Sequence, residues 1–418
     1  MKSISFFLFA FLLISLILEV SFEVKITEIP GLSLKNLSIY LMIVWLVFTN
    51  LVMKKPIIEK NRLNFPILLF IIYCFFSLLF TYYYRIVSGY NLGSQIILFK
   101  SYMDAFILLI IIYNFANEIV VIKSLLFSLL GFFVLMNLIT ILGTLNIIEI
   151  SRIEFLKHGR TSGALSEANQ YASFVVLFLP FCFHYIVKFK NLFLKIIAIT
   201  ITFLGLYCLF LTGSRGGILS FIIGIIIYFI LESKQLSNKA ILQNISLFLT
   251  LFIIIIISIN FLPSETKEGL KYNLFVRLEY SDIFSSYYSS GRIDIWTKCI
   301  EVFLKNPIFG TGWNTIYQSV GSNSHSEYLY YLTTTGMVGF FLFLFIFYRL
   351  GKTVFTFRLN INSENKSFYH IYLSGLTSFM VAMFFVNIYS PYIFLFLFSG
   401  LILKLGYLEQ KVLSLKKL

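Results

Sequence analysis

The chain has 418 residues, of which 59% are hydrophobic, 19% aromatic and 12% charged, with a net charge of +14. That composition lies far outside the range of soluble globular domains and excludes a water-soluble enzyme of two or three domains. The four cysteines form no disulfide framework: Cys74, Cys182 and Cys208 fall inside apolar stretches and Cys299 in a polar one, all as small apolar residues.

A helix needs about 20 apolar residues to cross the hydrocarbon core. Twelve candidate spans follow one another, at roughly 4–22, 35–53, 65–84, 96–116, 120–142, 168–187, 192–212, 216–231, 241–261, 327–348, 367–387 and 390–407. The expected fold is an all-α polytopic membrane protein with about 12 transmembrane helices and one large extracytoplasmic loop containing an amphipathic helix. Three regions are expected: N-terminal membrane helices at 1–150, a core at 151–350 that includes the outer loop 262–326, and C-terminal helices with a cytoplasmic tail at 351–418. The first apolar stretch follows Lys2 without a small-residue cleavage site, so it is kept as helix one and not as a secretion signal.

Lysine and arginine fix the orientation. With both termini in the cytoplasm, the inner side holds 19 of the 33 basic residues and 5 of the 19 acidic ones, so the whole net charge lies there and the outer face is about neutral. This is the positive-inside pattern, and it accounts for the basic balance without nucleic acid. The polar segments of unusual composition then all fall on the outer side.

In the fourth span Lys100 and Asp104 stand one helical turn apart in the outer half. They can pair on one face, either as a structural ion pair or as lining of a substrate cavity. The outer loop between spans five and six carries His158, Arg160, Gly163, Glu167 and Asn169. Between spans seven and eight only Leu211-Thr-Gly-Ser214-Arg215-Gly216-Gly217 remains, too short for a soluble loop. A snorkelling arginine would explain the position of Arg215. Ser214 and the glycines add a second reading, because small residues let backbone N–H groups and a guanidinium approach an anion at the start of the next helix.

The largest polar island runs from Pro263 to Tyr328. Within it, residues 290–307 have the pattern of an amphipathic helix with Ser290 as N-cap and Pro307 as stop, and with Ile293, Trp296, Ile300 and Phe303 as its apolar stripe. Lying on the outer leaflet would account for Trp296 and Phe303. It would not account for Arg292, a cation in the first turn, where the helix dipole favours an anion nearby. His325 follows in Asn323-Ser-His-Ser-Glu-Tyr328, just before the tenth span. A lone histidine is more often a packing residue, which is the reading for His184 and His370. His325 differs by sharing the outer face with Arg160, Arg215 and Arg292, and its imidazole can accept a proton near neutral pH. His158 is a weaker candidate for the same role.

Taken together, Arg160-x-x-Gly163 with Asn169, Thr212-Gly-Ser-Arg-Gly-Gly217, Arg292-x-x-x-Trp296 leading to Asn306-Pro-Ile-Phe-Gly310-x-Gly312, and His325-Ser-Glu-Tyr-Leu329 with Gly336 and Gly339 resemble the O-antigen ligase and polymerase family of bacterial membrane glycosyltransferases. The match runs from about 160 to 340; the first five spans add only hydropathy. Ser326 departs from the asparagine that often follows the histidine in that family.

The resemblance implies glycosyl transfer from an undecaprenyl-pyrophosphate-linked oligosaccharide to an acceptor glycan or lipid A–core, within the lipid bilayer, at the outer face of the cytoplasmic (inner) membrane. It implies no cofactor, and the chain shows no Asp-x-Asp pair or histidine cluster with metal-ligand spacing. His325, Arg215 and Arg292 are then the expected catalytic residues. Arg160, Asn169, Ser214, Gly216 and Glu327 are expected to bind substrate, with Lys100 and Asp104 lining the cavity. A polymerase joining lipid-linked repeat units is the leading expectation, with a chain-length regulator as a further partner; a ligase delivering finished glycan is the alternative. A lipid transporter is the reading from another class. It would place polar residues and helix breaks near the midplane in two matching halves, whereas the polar groups here sit at the outer surface.

Overall fold

The computed structural model describes residues 2–24, 26, 31–84, 90–145, 147–148, 155–156, 159–165, 167–233, 238–262, 264–276, 291–361 and 365–415. Its helices are α1 (Lys2–Val20), α2 (Leu34–Val52), α3 (Asn64–Tyr83), α4 (Leu92–Phe115), α5 (Ile119–Thr144), α6 (Ala168–Lys188), α7 (Leu192–Leu211), α8 (Arg215–Glu232), α9 (Asn238–Ser258), α10 (Ser264–Leu274), α11 (Arg292–Lys305), α12 (Ile316–Val320), α13 (Glu327–Asn360), α14 (Lys366–Ala382) and α15 (Pro391–Leu415). Among the described residues the β-structure is one two-residue antiparallel pair, β1 (Phe155–Leu156) with β2 (Arg160–Thr161). The protein is an all-α polytopic membrane protein.

Among the described residues ten helices, α1 to α8, α13 and α15, are long and apolar enough to cross a bilayer. The other two expected spans are also helical. In α9 the apolar part is confined to Ile245–Ser258, and α14 has 17 residues. α14 stops at Ala382 because the next residues turn back toward α13: the N–H of Glu327 donates to Met383 O and the N–H of Ile388 to the Glu327 carboxylate, both at 2.8 Å. The span expected at 367–387 therefore ends early, and a turn at 383–390 takes its place.

α6 and α15 form the centre, with 94% and 89% of their apolar windows buried, against 33% for α7 at the periphery. Their contact is aromatic: Phe174 meets Phe394 at 4.8 Å and Phe178 stacks on Phe398 at 5.6 Å between ring centroids. Lipid tails are as apolar as side chains, so helices associate in a bilayer through close packing, and small residues permit it. A Cβ on Gly375 of α14 would stand 2.3 Å from the Leu177 carbonyl oxygen of α6.

Two polar knots tie the ends of the helices away from the 159–165, 212–214 and 291–326 segments. In one, Lys404 meets Glu59 at 2.6 Å. In the other, His370 Nδ1 meets Glu232 at 2.8 Å while Arg358 Nε donates to His370 Nε2 at 2.8 Å. The opposite end, where those segments gather, is hereafter the site face.

The feature that shapes the site face is a break in α13 at Gly336, where φ is 63° and ψ −169°. The segment after α11 docks into the break. Thr311 and Gly312 donate their N–H groups to the carbonyls of Thr333 and Thr334 at 3.0 and 2.8 Å, and the N–H groups of Met337 and Val338 reach Pro307 and Ile308 at 2.9 and 3.3 Å. α3 holds both sides of this contact: Ser77 accepts the Trp313 N–H of the docked segment at 3.1 Å, and Tyr73 donates to Thr335 O of α13 at 2.6 Å. A Cβ on Gly336 would stand 2.3 Å from Ile308 O, and one on Gly310 would stand 2.5 Å from Gly336 N, with φ positive at both. The glycines at 310 and 336 are thus two halves of one backbone contact.

Gly336→Ala is expected to destabilise the protein by about 1–3 kcal/mol through backbone conformation alone, with the clash added. Gly131→Ala, where nothing lies within 4 Å of the added methyl, is the control expected to melt like the wild type. Thermal unfolding in detergent checks both; equal melting of Gly336→Ala and wild type would show that the docked segment does not depend on the glycine.

Candidate active site

The loop before α6 brings the first cluster together. Arg160, at the end of β2, donates from Nε to Thr212 O at 2.7 Å and from Nη2 to Asn169 Oδ1 at 3.0 Å. Ser214 donates to the same Asn169 oxygen at 3.0 Å while its Oγ caps α8 by accepting the Gly217 N–H at 3.2 Å. The turn between α7 and α8 needs glycine at 213, where φ is 58° and a Cβ would press on Arg160 Cγ at 3.1 Å. Arg160, Asn169 and Ser214 thus form one hydrogen-bonded unit, and Arg215 opens α8 beside it. A Cβ on Gly216 would meet the Phe385 ring at 2.6 Å, so the missing side chain there also makes room for the 383–390 turn.

Glu167 links this cluster to α11. Burial pushes its carboxyl up, against hydrogen bonds from Gln170 and Asn169 and the positive charges of Arg160 and Arg292. It therefore lies within electrostatic reach of both arginines. Arg292 in turn lies within electrostatic reach of His325. Burial, and then the charge of Arg292, push the His325 imidazole down from its ordinary range, so the ring is neutral and able to accept a proton at neutral pH.

α11 differs in detail from the expected helix. Its N-cap is Gly291, with φ 74°; Ser290, expected there, lies outside the described residues, as does His158. The face packed inward carries Ile295, Cys299 and Val302, while Ile300 is 46% exposed. The expected stripe is rotated because α11 packs against α13 and α12. Trp296 is more than a leaflet anchor: its indole N–H donates to Ser324 O at 3.0 Å and so holds the chain entering His325.

Glu327, expected to bind substrate, is buried, with both oxygens committed. One accepts the Ile388 N–H at 2.8 Å and the other the Tyr392 hydroxyl at 3.0 Å. Its place is to anchor the 383–390 turn. Gln170 adds to that anchor by accepting the N–H groups of Tyr389 and Ser390, each at 3.3 Å. Lys100 and Asp104 do pair, at 2.9 Å, and Lys35 joins them at 3.7 Å to make a three-residue ion cluster between α2 and α4. His184 and His370 are packing residues on the knot side, bonded to Tyr228 and Glu232.

Three residues beyond those expected contribute: Glu167, Gln170 and Asn387, whose Oδ1 lies 3.0 Å from Ser324 Oγ. The first two stand in the same polar run as Asn169. Asn387 is marked in sequence only by Asn387-Ile-Tyr-Ser-Pro391, a polar interruption between two apolar runs. The arrangement holds Arg160 in a hydrogen-bonded unit with Asn169 and Ser214 at the start of α8, with Arg292 within electrostatic reach of both Glu167 and His325.

No curated protein matches the chain. Residues 200–344 match the family model described as O-Antigen ligase, a stretch holding Ser214, Arg215, Gly216, Arg292, His325 and Glu327, with Arg160 and Asn169 ahead of it. Over that stretch the chain is similar to the O-antigen ligase family that its motifs resemble.

Proposed function

We propose that the chain transfers a glycan from undecaprenyl pyrophosphate to an acceptor sugar at the outer face of the bacterial cytoplasmic membrane, as a surface-polysaccharide polymerase. The observation that carries this reading is the hydrogen-bonded unit of Arg160, Asn169 and Ser214 at the start of α8, with Glu167 within electrostatic reach of both Arg160 and Arg292. A lipid-linked pyrophosphate is an anion held at the leaflet, and guanidinium forks suit it because they are planar and donate in pairs. Arg215 and Arg292 bind the pyrophosphate in this scheme, and the Arg160–Asn169–Ser214 unit holds the donor beside them.

The acceptor hydroxyl gives its proton to His325 as its oxygen attacks the anomeric carbon. The bond from that carbon to the phosphate oxygen breaks, and undecaprenyl pyrophosphate leaves with the electron pair, its charge held by the arginines. One displacement inverts the anomeric configuration. The description of the matched family favours a second reading, transfer of finished glycan by a ligase. Deleting the gene and resolving the surface glycan on a gel separates the two: single-repeat product is expected for a polymerase, whereas long chains left on undecaprenyl would establish the ligase.

Positioned base catalysis contributes about 10²–10⁴-fold, so His325→Ala should lose that factor with normal amounts of protein in the membrane. Arg215→Lys should also lose most activity, since a point charge cannot reproduce the fork. Near-normal polysaccharide in cells carrying either variant removes that residue from the mechanism.

The pH dependence follows from the depressed histidine. The base works in its neutral form, so the rate should be level near pH 7 and fall as pH drops through a value below the ordinary histidine range of about 6.5. Arg292→Gln removes a positive charge that opposes protonation, so the residual rate should lose its acid side at higher pH than the wild type. An acid limb that stays in place would separate Arg292 from His325.

A further inference from the structure

His325 has φ 49°, in the left-handed region. Side chains enter that region under strain, and a strained residue persists only where its neighbours over-determine it. Both flanks of His325 are held. On the C-terminal side, Glu327 is tied to Met383, Ile388 and Tyr392. On the N-terminal side, Ser324 is fully buried; its carbonyl takes the Trp296 indole N–H, and its hydroxyl lies 2.9 Å from Ser326 O and 3.0 Å from Asn387 Oδ1.

Asn387 is therefore the side chain through which the 383–390 turn grips the N-terminal flank. It is 2% exposed, and its Nδ2 has no hydrogen-bond partner among the described residues. A residue kept only to fill space would be apolar, because a buried amide N–H left unpaired is costly. We propose that Asn387 is the positioning residue of the general base: by holding Ser324 it fixes the left-handed backbone at 325 and aims the imidazole. The proposal rests on the reading of His325 as the base, and it adds a residue outside the matched 200–344 stretch.

The test uses the full chain reconstituted in liposomes, with the undecaprenyl-pyrophosphate-linked repeat unit extracted from a host lacking the gene. Rates and donor KM are measured for the wild type, Asn387→Ala, His325→Ala and the double variant. Misplacing a catalytic group by about 1 Å costs on the order of 10²-fold, so Asn387→Ala should lose roughly ten- to a hundredfold in kcat. Donor KM should stay unchanged, because the arginines are untouched. The double variant should be no slower than His325→Ala, and Asn387→Asp, which keeps an acceptor for Ser324, should recover most of the rate. If Asn387→Ala fails to accumulate in the membrane, Ser324→Ala removes the same contact from the other side and should show the same loss in kcat.

A loss that multiplies with that of His325→Ala, a change confined to KM, or a wild-type rate would each overturn the proposal while leaving His325 as base. A wild-type rate for His325→Ala would instead bring down the reading of the base, and this proposal with it.

Discussion

A backbone N–H or C=O left bare in hydrocarbon costs several kcal/mol, so irregular backbone at membrane depth survives only where protein covers it. α13 breaks at Gly336, and the segment after α11 supplies the missing partners on both sides of the break. The rest of the site face hangs on that contact. α11, with Arg292 at its far end, runs into the docked segment, and α12 and the His325 turn lead out of it. Two groups far apart in sequence are thereby referenced to one fixed piece of backbone, itself wedged against α3 through Ser77 and Tyr73.

The electrostatics are arranged around the same fixed piece. Burial disfavours a charged carboxyl at Glu167, and the positive charges of Arg160 and Arg292, both within electrostatic reach, oppose that effect. The desolvation that pushes the Glu167 carboxyl up also pushes the His325 imidazole down. Burial thus acts in opposite senses on the two groups, because in each it disfavours the charged form.

Much of this was legible in the sequence, because hydropathy, charge asymmetry and loop length are local signals. The helical character of the spans and the polar segments that carry Arg160, Asn169 and Ser214 were visible there. What was not visible depends on partners chosen by tertiary structure. Nothing near Gly336 announces that residues 307–312 fill its break, so 327–348 reads as one continuous helix. The face that α11 buries is set by α13 and not by its own amphipathic pattern, which is why Cys299 is inside and Ile300 outside. Glu327 looks like a site carboxylate until the returning turn at 383–390 takes both its oxygens. Asn387 sits in what hydropathy assigns to the end of a span.

The left-handed backbone at His325 sets stability and chemistry against each other. Glycine enters that region without steric cost, so a search for thermostable variants that screened only for folded protein would be drawn toward His325→Gly. Such a variant would relieve the turn and lose its imidazole at once, the stability–function conflict typical of strained sites. A residue that conformational energy alone would not select is retained there, and the tight hold on both its neighbours, Ser324 and Ser326, is what keeps it in place.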